Sequence, residues 1–151
     1  MAAKIAAGIV IVVVVIVAAL QLAPYGRDHT NPPVREEPPW QGQQTRALLV
    51  RACFDCHSNE TTWPWYSNVA PLSWLIQNDV QEGRAALNFS EWSSPPEEAG
   101  EAIDTVREGE MPPWSYLLTH PGARLSGEEL QTLIQGLEAT FGAPGEGGEG
   151  D

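Results

Sequence analysis

The sequence has few of the residues that build disulfide scaffolds and metal sites. It contains two cysteines, three positions apart, and three histidines in 151 residues. A disulfide across two intervening residues would close too small a loop to stabilise a fold much. Zinc needs four ligands, so a zinc site would require His29 or His120 to converge on the cysteine pair. The pair therefore indicates redox chemistry, metal binding or haem attachment, and not a disulfide framework.

Basic residues are also scarce: eight Lys and Arg stand against twenty Asp and Glu, and the formal net charge is −12. Every acidic residue follows Arg27. Because a domain with so many acidic residues would repel the phosphates of a nucleic acid, no nucleic-acid partner is expected. An acidic domain attracts and steers a protein partner with a basic docking surface. The same charge would also serve simply to keep the domain soluble, and the sequence leaves both interpretations open.

Alternating strand patterns are missing as well. No segment alternates apolar and polar residues with the period of two that a half-buried strand requires. Helices are predicted instead over 45–52, over 71–87 and in a segment that stops at Gly109. Ser126 and Glu129 form a capping box for a last helix, whose apolar stripe runs to Phe141. The predicted fold class is therefore all-α.

One long apolar run stands at the N-terminus, from Ile5 to Leu20, and only Gln21 interrupts its extension to Ala23. About 20 apolar residues span the core of a bilayer, so residues 1–23 are predicted to be a single-pass membrane anchor. Lys4 places the N-terminal end in the cytoplasm by the positive-inside rule. A cleaved signal peptide is the competing interpretation. Both interpretations put the rest of the chain on the periplasmic or outer face of a bacterial inner membrane.

Three segments follow the anchor. Residues 24–43 contain five prolines and are predicted to be a semi-rigid linker. If fully extended, at about 3.1 Å per residue, it would hold the domain some tens of ångströms from the membrane. The folded domain is predicted over 44–141, and 142–151 is predicted to be a flexible acidic tail.

The cysteine pair lies in the motif Cys53-Phe54-Asp55-Cys56-His57. Positions i and i+3 of a helix share a face, so both sulfurs can reach the two vinyl groups of one porphyrin, with His57 under the iron. C-x-x-C-H is the attachment pattern of haem c. A thioredoxin-like dithiol would need a βαβ context, which this sequence lacks. The motif predicts one covalently attached haem c, with Cys53 and Cys56 as attachment residues and His57 as an axial iron ligand.

A second axial ligand is predicted at Met111, the only methionine besides the initiator. Pro112 and Pro113 hold the backbone after it extended, which fixes where the thioether points. Ligation by Met and His raises the haem potential and suits electron transfer. His120 is the rival ligand, and an open sixth position is the third possibility.

Further motifs resemble the bacterial haem-binding domain family, which is related to c-type cytochromes. The resemblance covers about residues 44–140 and is carried by the segments Cys56–Thr61, Trp63–Ser67, Ala70–Trp74, Asp79–Val80, Gly83–Arg84, Leu87–Ser90, Met111–Pro113, His120–Pro121 and Ala123–Ser126, and by Trp92. It implies a covalent haem on Cys53 and Cys56 with His57 as a ligand. Together with the helical pattern, it predicts a small cytochrome c-like domain behind one transmembrane helix.

Two details of the haem surroundings are also predicted. In cytochromes c, the acceptor for the second ring nitrogen of the ligand histidine is usually a proline carbonyl in the loop after the motif. Pro71 is the matching position, with Pro64 as the alternative acceptor for His57. The aromatic residues are expected to form one cluster around the haem; these are Phe54, Trp63, Trp65, Tyr66, Trp74, Phe89, Trp92 and Trp114.

The predicted function is transfer of single electrons by a membrane-anchored carrier or complex subunit, and not enzymatic catalysis. Its expected partners are membrane lipid and redox proteins. The rival function is a haem enzyme or a sensor of gas or redox state with an open sixth coordination position. A third possibility is an interaction module that haem merely stabilises.

Overall fold

The structure is a computed structural model that describes residues 1–93 and 97–142. Its helices are α1 (Ala2–Leu20), α2 (Gln43–Ala52), α3 (Phe54–His57), α4 (Leu72–Ala86), α5 (Glu101–Arg107), α6 (Trp114–Thr119) and α7 (Gly127–Phe141). Short 3₁₀ turns cover Trp65–Asn68, Glu97–Gly100 and Pro121–Ala123. The described residues contain no strand, only an isolated bridge between Glu36 and Glu91. The prediction of an all-α fold is confirmed.

The chain divides into two compact units. Unit 1 comprises residues 1–30 and 63–81, and unit 2 comprises residues 31–62 and 82–151. Of the predicted acidic tail, residues 143–151 lie outside the described residues. The predicted attachment motif belongs to unit 2, and the apolar N-terminal helix belongs to unit 1.

The core of unit 2 is built where α2 contacts α7. Leu49, Ile103, Leu133 and Leu137 are almost fully buried in it. Gly136 of α7 lies directly against the Thr45 side chain of α2, and a Cβ atom at Gly136 would overlap it. The absence of a side chain at this position therefore lets the two helices approach closely.

The N-terminus of α7 is the best example of local sequence determining local structure. Ser126 Oγ accepts a hydrogen bond from the Glu129 backbone N–H at 3.3 Å, and Glu129 Oε2 accepts one from the Ser126 N–H at 2.8 Å. This reciprocal pair is the predicted capping box. The end of α5 also agrees with its prediction, since Gly109 follows it with a φ of +77°, a left-handed conformation that glycine adopts without strain.

Unit 1 begins with α1, none of whose residues is buried. By length and composition alone, this helix is a candidate membrane span, with a mean hydropathy of 2.9. The chain after it packs against 63–81: the Gln21 side chain donates to the Ala70 carbonyl at 2.9 Å and accepts from the Ala70 N–H at 3.0 Å. The His29 ring stacks on Trp63 with centroids 4.4 Å apart. Residues 21–29 therefore pack within unit 1.

The second half of the predicted linker contacts the rest of unit 2. The backbone N–H groups of Arg35 and Glu36 donate to the Ser90 carbonyl, and the Trp92 N–H donates to the Glu36 carbonyl. The carboxylate of Glu37 accepts hydrogen bonds from Arg46 of α2 at 2.5 and 2.6 Å. These hydrogen bonds hold residues 35–37 of the predicted linker against the rest of unit 2.

Candidate functional site

The two cysteines and the histidine of the motif lie on one tight turn. Helix α2 ends at Ala52, and Cys53 breaks the helical path with φ −129° and ψ −31°. The N–H groups of Cys56 and His57 then donate to the Cys53 carbonyl at 3.2 and 2.9 Å. Neither cysteine forms a disulfide bond, and both are half-buried. The turn therefore presents two thiols and one imidazole side by side.

Burial keeps the thiol of Cys53 in its protonated form. Burial raises the pKa of the Cys53 thiol to about 12, and the neighbouring Cys56 contributes to the increase. Reactive cysteines in disulfide exchange have a lowered pKa, because the thiolate is the nucleophile. The Cys53 thiol instead stays protonated at neutral pH.

The imidazole of His57 is held by the backbone, with Leu87 and Gly83 as its hydrogen-bond partners. Its Nδ1 lies 3.0 Å from the Leu87 carbonyl oxygen. Since a carbonyl only accepts, Nδ1 must carry the proton, which leaves the Nε2 lone pair available for a metal. Burial lowers the pKa of His57 and thereby favours the neutral form that binds metals. These features fit an axial ligand.

The acceptor for His57 differs from the predicted one, so the prediction of Pro71 is wrong. The Pro71 carbonyl accepts from the N–H groups of Trp74 and Leu75 in the first turn of α4. Leu87 follows the last residue of α4, Ala86. Carbonyls at a helix C-terminus lack partners within the helix, which leaves the Leu87 carbonyl available to orient His57.

Helix α4 reaches this position because Gly83 has no side chain. A Cβ atom on Gly83 would lie 2.5 Å from the Cys56 carbonyl oxygen and 3.0 Å from Cys56 Cβ. Glycine inside a helix costs about 1 kcal/mol relative to alanine, so its presence in α4 was a visible sign of close packing. The sequence alone did not identify Cys56 as the neighbour.

Arg84 ties the same end of α4 to the loop after the motif. Its Nε donates to the Ser58 carbonyl at 2.8 Å, and its Nη2 donates to Asn31 Oδ1 at 3.0 Å and Thr61 Oγ1 at 2.9 Å. The guanidinium is thus a structural link between three segments of unit 2.

A second link joins the motif to α6. Tyr116 donates its hydroxyl to Asp55 Oδ2 at 2.7 Å. Burial and the neighbouring Asp55 raise the pKa of Tyr116, so the phenol stays protonated and remains a donor. His120 stacks on the Tyr116 ring, with centroids 4.0 Å apart and planes 12° from parallel. The segment that carries both candidate sixth ligands is therefore attached to the motif through Asp55.

The sixth iron ligand stays a prediction, with Met111 and His120 as the two candidates. The side chain of Met111 is 37% exposed, and its backbone N–H lies 3.4 Å from the Thr105 carbonyl. His120 has its Nδ1 within 3.2 Å of the Tyr116 carbonyl. Among the residues that the structure describes, no group of three or more His, Cys, Asp or Glu is arranged to hold a metal ion.

The aromatic residues that are predicted to surround the haem differ widely in burial. Phe54 and Phe89 are buried in the core of unit 2, with ring centroids 5.7 Å apart. Trp65 and Trp114 are 79% and 75% exposed, so they do not belong to the core of the structure. Trp63 lies in unit 1. Sequence composition could not separate core aromatics from surface aromatics.

The donor set as a whole fits haem c. Two adjacent thiols would supply the sulfur atoms for two thioether bonds, and His57 would supply one nitrogen ligand on the same turn. Its Nδ1–H is satisfied by a backbone carbonyl, which is the usual arrangement for a ligand histidine.

Comparison with known proteins agrees with this chemistry. The family model for the haem-binding domain matches residues 14–139. The match begins within α1 and ends within α7, so it covers most of the chain. No curated protein matches the chain significantly, and neither does any solved structure.

Proposed function

This chain belongs to the haem-binding domain family, and from that premise we propose that it is a membrane-anchored c-type cytochrome that transfers single electrons. Cys53 and Cys56 would hold one haem covalently, and His57 would be an axial ligand. The observation that carries this proposal is the Nδ1–Leu87 hydrogen bond, which leaves His57 Nε2 free beside two thiols. Bound haem would supply a one-electron iron couple.

The residues of unit 2 would keep the haem in place while its iron is oxidised and reduced. The Leu87 carbonyl holds the His57 ring in one orientation, and Gly83 keeps that carbonyl close to the motif. Phe54 and Phe89 are buried beside the motif and exclude water from this side. A rigid, dry ligand environment limits the reorganisation that accompanies electron transfer, and second-shell contacts and solvent access tune the redox potential.

The proposed location is the bacterial inner membrane, with the haem domain on the periplasmic or outer side. The support is α1, which is long and apolar enough to span a membrane, and Lys4 at its N-terminal end. The proposed partners are redox proteins with basic docking surfaces. Eighteen of the twenty acidic residues belong to unit 2, since only Asp28 and Asp79 belong to unit 1.

Two measurements on the full chain, matured with haem in membranes, test the proposal. Extraction with acid and acetone should leave the haem on the polypeptide, and Cys53→Ala or Cys56→Ala should weaken attachment or abolish maturation. Ser93→Ala, an exposed change in unit 2, is the control and should leave attachment unchanged. Release of haem from the unaltered protein would refute covalent attachment.

The second measurement is the spectrum of the reduced protein with and without carbon monoxide. An electron carrier with two protein ligands should give the same spectrum in both conditions. A carbon monoxide complex would contradict the carrier and favour the haem enzyme or sensor.

A further inference from the structure

One part of the chain departs sharply from its acidic character. Residues 61–78 contain no Asp, Glu, Lys or Arg, although the whole chain has a net charge of −12. The same stretch holds three of the six tryptophans, Trp63, Trp65 and Trp74, together with Tyr66. Nearly all of it lies in unit 1. An uncharged surface rich in tryptophan is typical of the headgroup region of a membrane.

Several apolar side chains of this stretch are exposed. Trp65 is 79% exposed, Leu75 is 61% exposed and Leu72 is 48% exposed, and Val69 adds a smaller exposed area at 39%. Leu72 and Leu75 are one turn apart and share a face of α4. We call these four residues the neutral patch. Several large exposed apolar residues within one short uncharged stretch indicate an interaction surface.

The patch is connected directly to the end of α1. Gln21, which caps the C-terminus of α1, makes two hydrogen bonds with the backbone of Ala70, at 2.9 and 3.0 Å. Ala70 stands next to Val69 and two residues before Leu72. The hydrogen-bonded position of Ala70 therefore keeps Val69 and Leu72 near the C-terminal end of α1.

A second contact holds the chain after α1 against α4. Gly26 has a φ of +81°, and a Cβ atom there would lie 2.5 Å from the Ser73 carbonyl oxygen. Only a residue without a side chain fits this close approach. The hydroxyl of Tyr25 also lies 3.3 Å from Gln81 Oε1. No spacer therefore separates the end of α1 from the neutral patch.

We propose that the neutral patch lies in the lipid headgroup region of the outer leaflet, beside the end of α1. This inference rests on the proposed anchor and adds a second membrane contact to it. Amphipathic surfaces of this kind bury about 5–10 Å into the boundary between headgroups and acyl chains. Lipid is the favoured occupant because α1 would bring the patch to the bilayer whether or not a protein partner is present.

Photo-crosslinking in native membranes tests the patch. The photoreactive residue p-benzoylphenylalanine replaces Trp65 or Leu75 in the full chain, and haem content verifies that each protein has matured. Gln131, exposed on α7 of unit 2, is the control position. We expect phospholipid adducts at positions 65 and 75 to be roughly tenfold more abundant than at 131, as for a side chain held in the membrane interface.

A second measurement needs no substitution in the patch. Vesicles of phosphatidylcholine and phosphatidylglycerol that carry a diazirine near the headgroup should label the unaltered protein in the fragment between Arg51 and Arg84. Two crosslinking results would refute the patch: adducts to protein alone at positions 65 and 75, or lipid adducts there that are no more abundant than at position 131. In the vesicle experiment, an unlabelled fragment would refute it.

Failure of the anchor gives a different result. If α1 is not an anchor, an alkaline carbonate wash releases the protein from membranes, and both proposals fail. If the protein stays in the membrane and the patch is not labelled, the anchor stands and only the patch is refuted.

Discussion

Gly83 and Cys56 are in backbone contact, and a Cβ atom on Gly83 would come within 2.5 Å of the Cys56 carbonyl oxygen. The contact joins α4 to the motif at the residue that is proposed to bind haem. It also places Leu87, one turn further on, where its carbonyl reaches His57. The orientation of the proposed ligand thus depends on how closely Gly83 of α4 packs against the motif.

The first prediction is that Gly83→Ala destabilises the domain. Alanine should add about 1 kcal/mol of helix propensity, but it would also force the Cys56 backbone away. Overpacking of this kind costs about 1–3 kcal/mol or more, and we expect a net loss of stability and of haem incorporation. Urea denaturation of the matured protein, followed by circular dichroism, measures the change.

Gly127→Ala is the control, because Gly127 is the first residue of α7 and no atom lies within 4 Å of the added Cβ. It should be neutral or slightly stabilising. If Gly83→Ala behaves in the same way, the close contact does not matter for stability.

The second prediction concerns the hydrogen bond from Tyr116 to Asp55. Tyr116→Phe removes a donor from a carboxylate at 2.7 Å, and hydrogen bonds to charged groups contribute about 1.5–3 kcal/mol. The variant should lose stability by this amount and loosen the segment that carries Met111 and His120. Tyr25→Phe removes a longer bond from an exposed hydroxyl and should cost less than about 0.5 kcal/mol. Equal losses in the two variants would contradict the prediction.

The third prediction is a pH dependence. The hydrogen bonds from Arg46, with a further one from Trp40, hold the pKa of Glu37 below its usual value. A lowered pKa in the folded state stabilises the fold above the unfolded value of about 4.3. This contribution disappears as the pH falls through the folded pKa. Because both side chains are partly exposed, we expect about 0.5–1 kcal/mol.

Denaturation of the Glu37→Gln variant at several pH values tests this dependence. The variant should be less stable than the unaltered protein at neutral pH, and the difference should shrink as the pH falls below the unfolded value of about 4.3 and vanish below the lowered folded pKa. Glu108→Gln alters an exposed residue at the end of α5 and should show no such convergence. A difference that persists unchanged in acid would contradict the role of the ion pair.

The fourth prediction concerns the sixth ligand. If Met111 binds the iron, the oxidised protein should show the weak far-red sulfur–iron band expected from the resemblance to cytochromes c. Met111→Ala should remove this band and allow carbon monoxide to bind, whereas His120→Ala should change neither property. The opposite pattern would identify His120 as the ligand and make the protein a bis-histidine cytochrome.

Local signals in the sequence predicted much of the fold. Ser126 and Glu129 specify the start of α7 through bonds between residues three apart, and Gly109 marks the end of α5 because few other residues adopt its backbone conformation. The C-x-x-C-H motif could be proposed as a haem site because its spacing alone indicates that chemistry. Interactions between residues that are close in the sequence can be predicted without a structure.

Contacts between distant residues were not predicted. The acceptor for His57 is Leu87 and not Pro71, because it depends on how closely α4 packs against the motif. The exposure of Trp65 and Trp114 depends likewise on which surfaces the helices cover. Helix α6, with six residues, is too short to give a recognisable apolar period. These features arise from tertiary packing, which a single sequence does not reveal.

The crossing of α2 and α7 has a consequence for biosynthesis. The two helices are far apart in the sequence, and the closest approach joins Thr45 to Gly136 near the end of the domain. A ribosome makes the C-terminal helix last, so a nascent chain that ends before α7 carries the complete motif while Leu48 and Leu49 still lack the cover of Leu133 and Leu137. Domains whose contacts join residues far apart in the sequence complete their folding late. The segment that leads into the motif therefore lacks part of its core packing until the final helix is made.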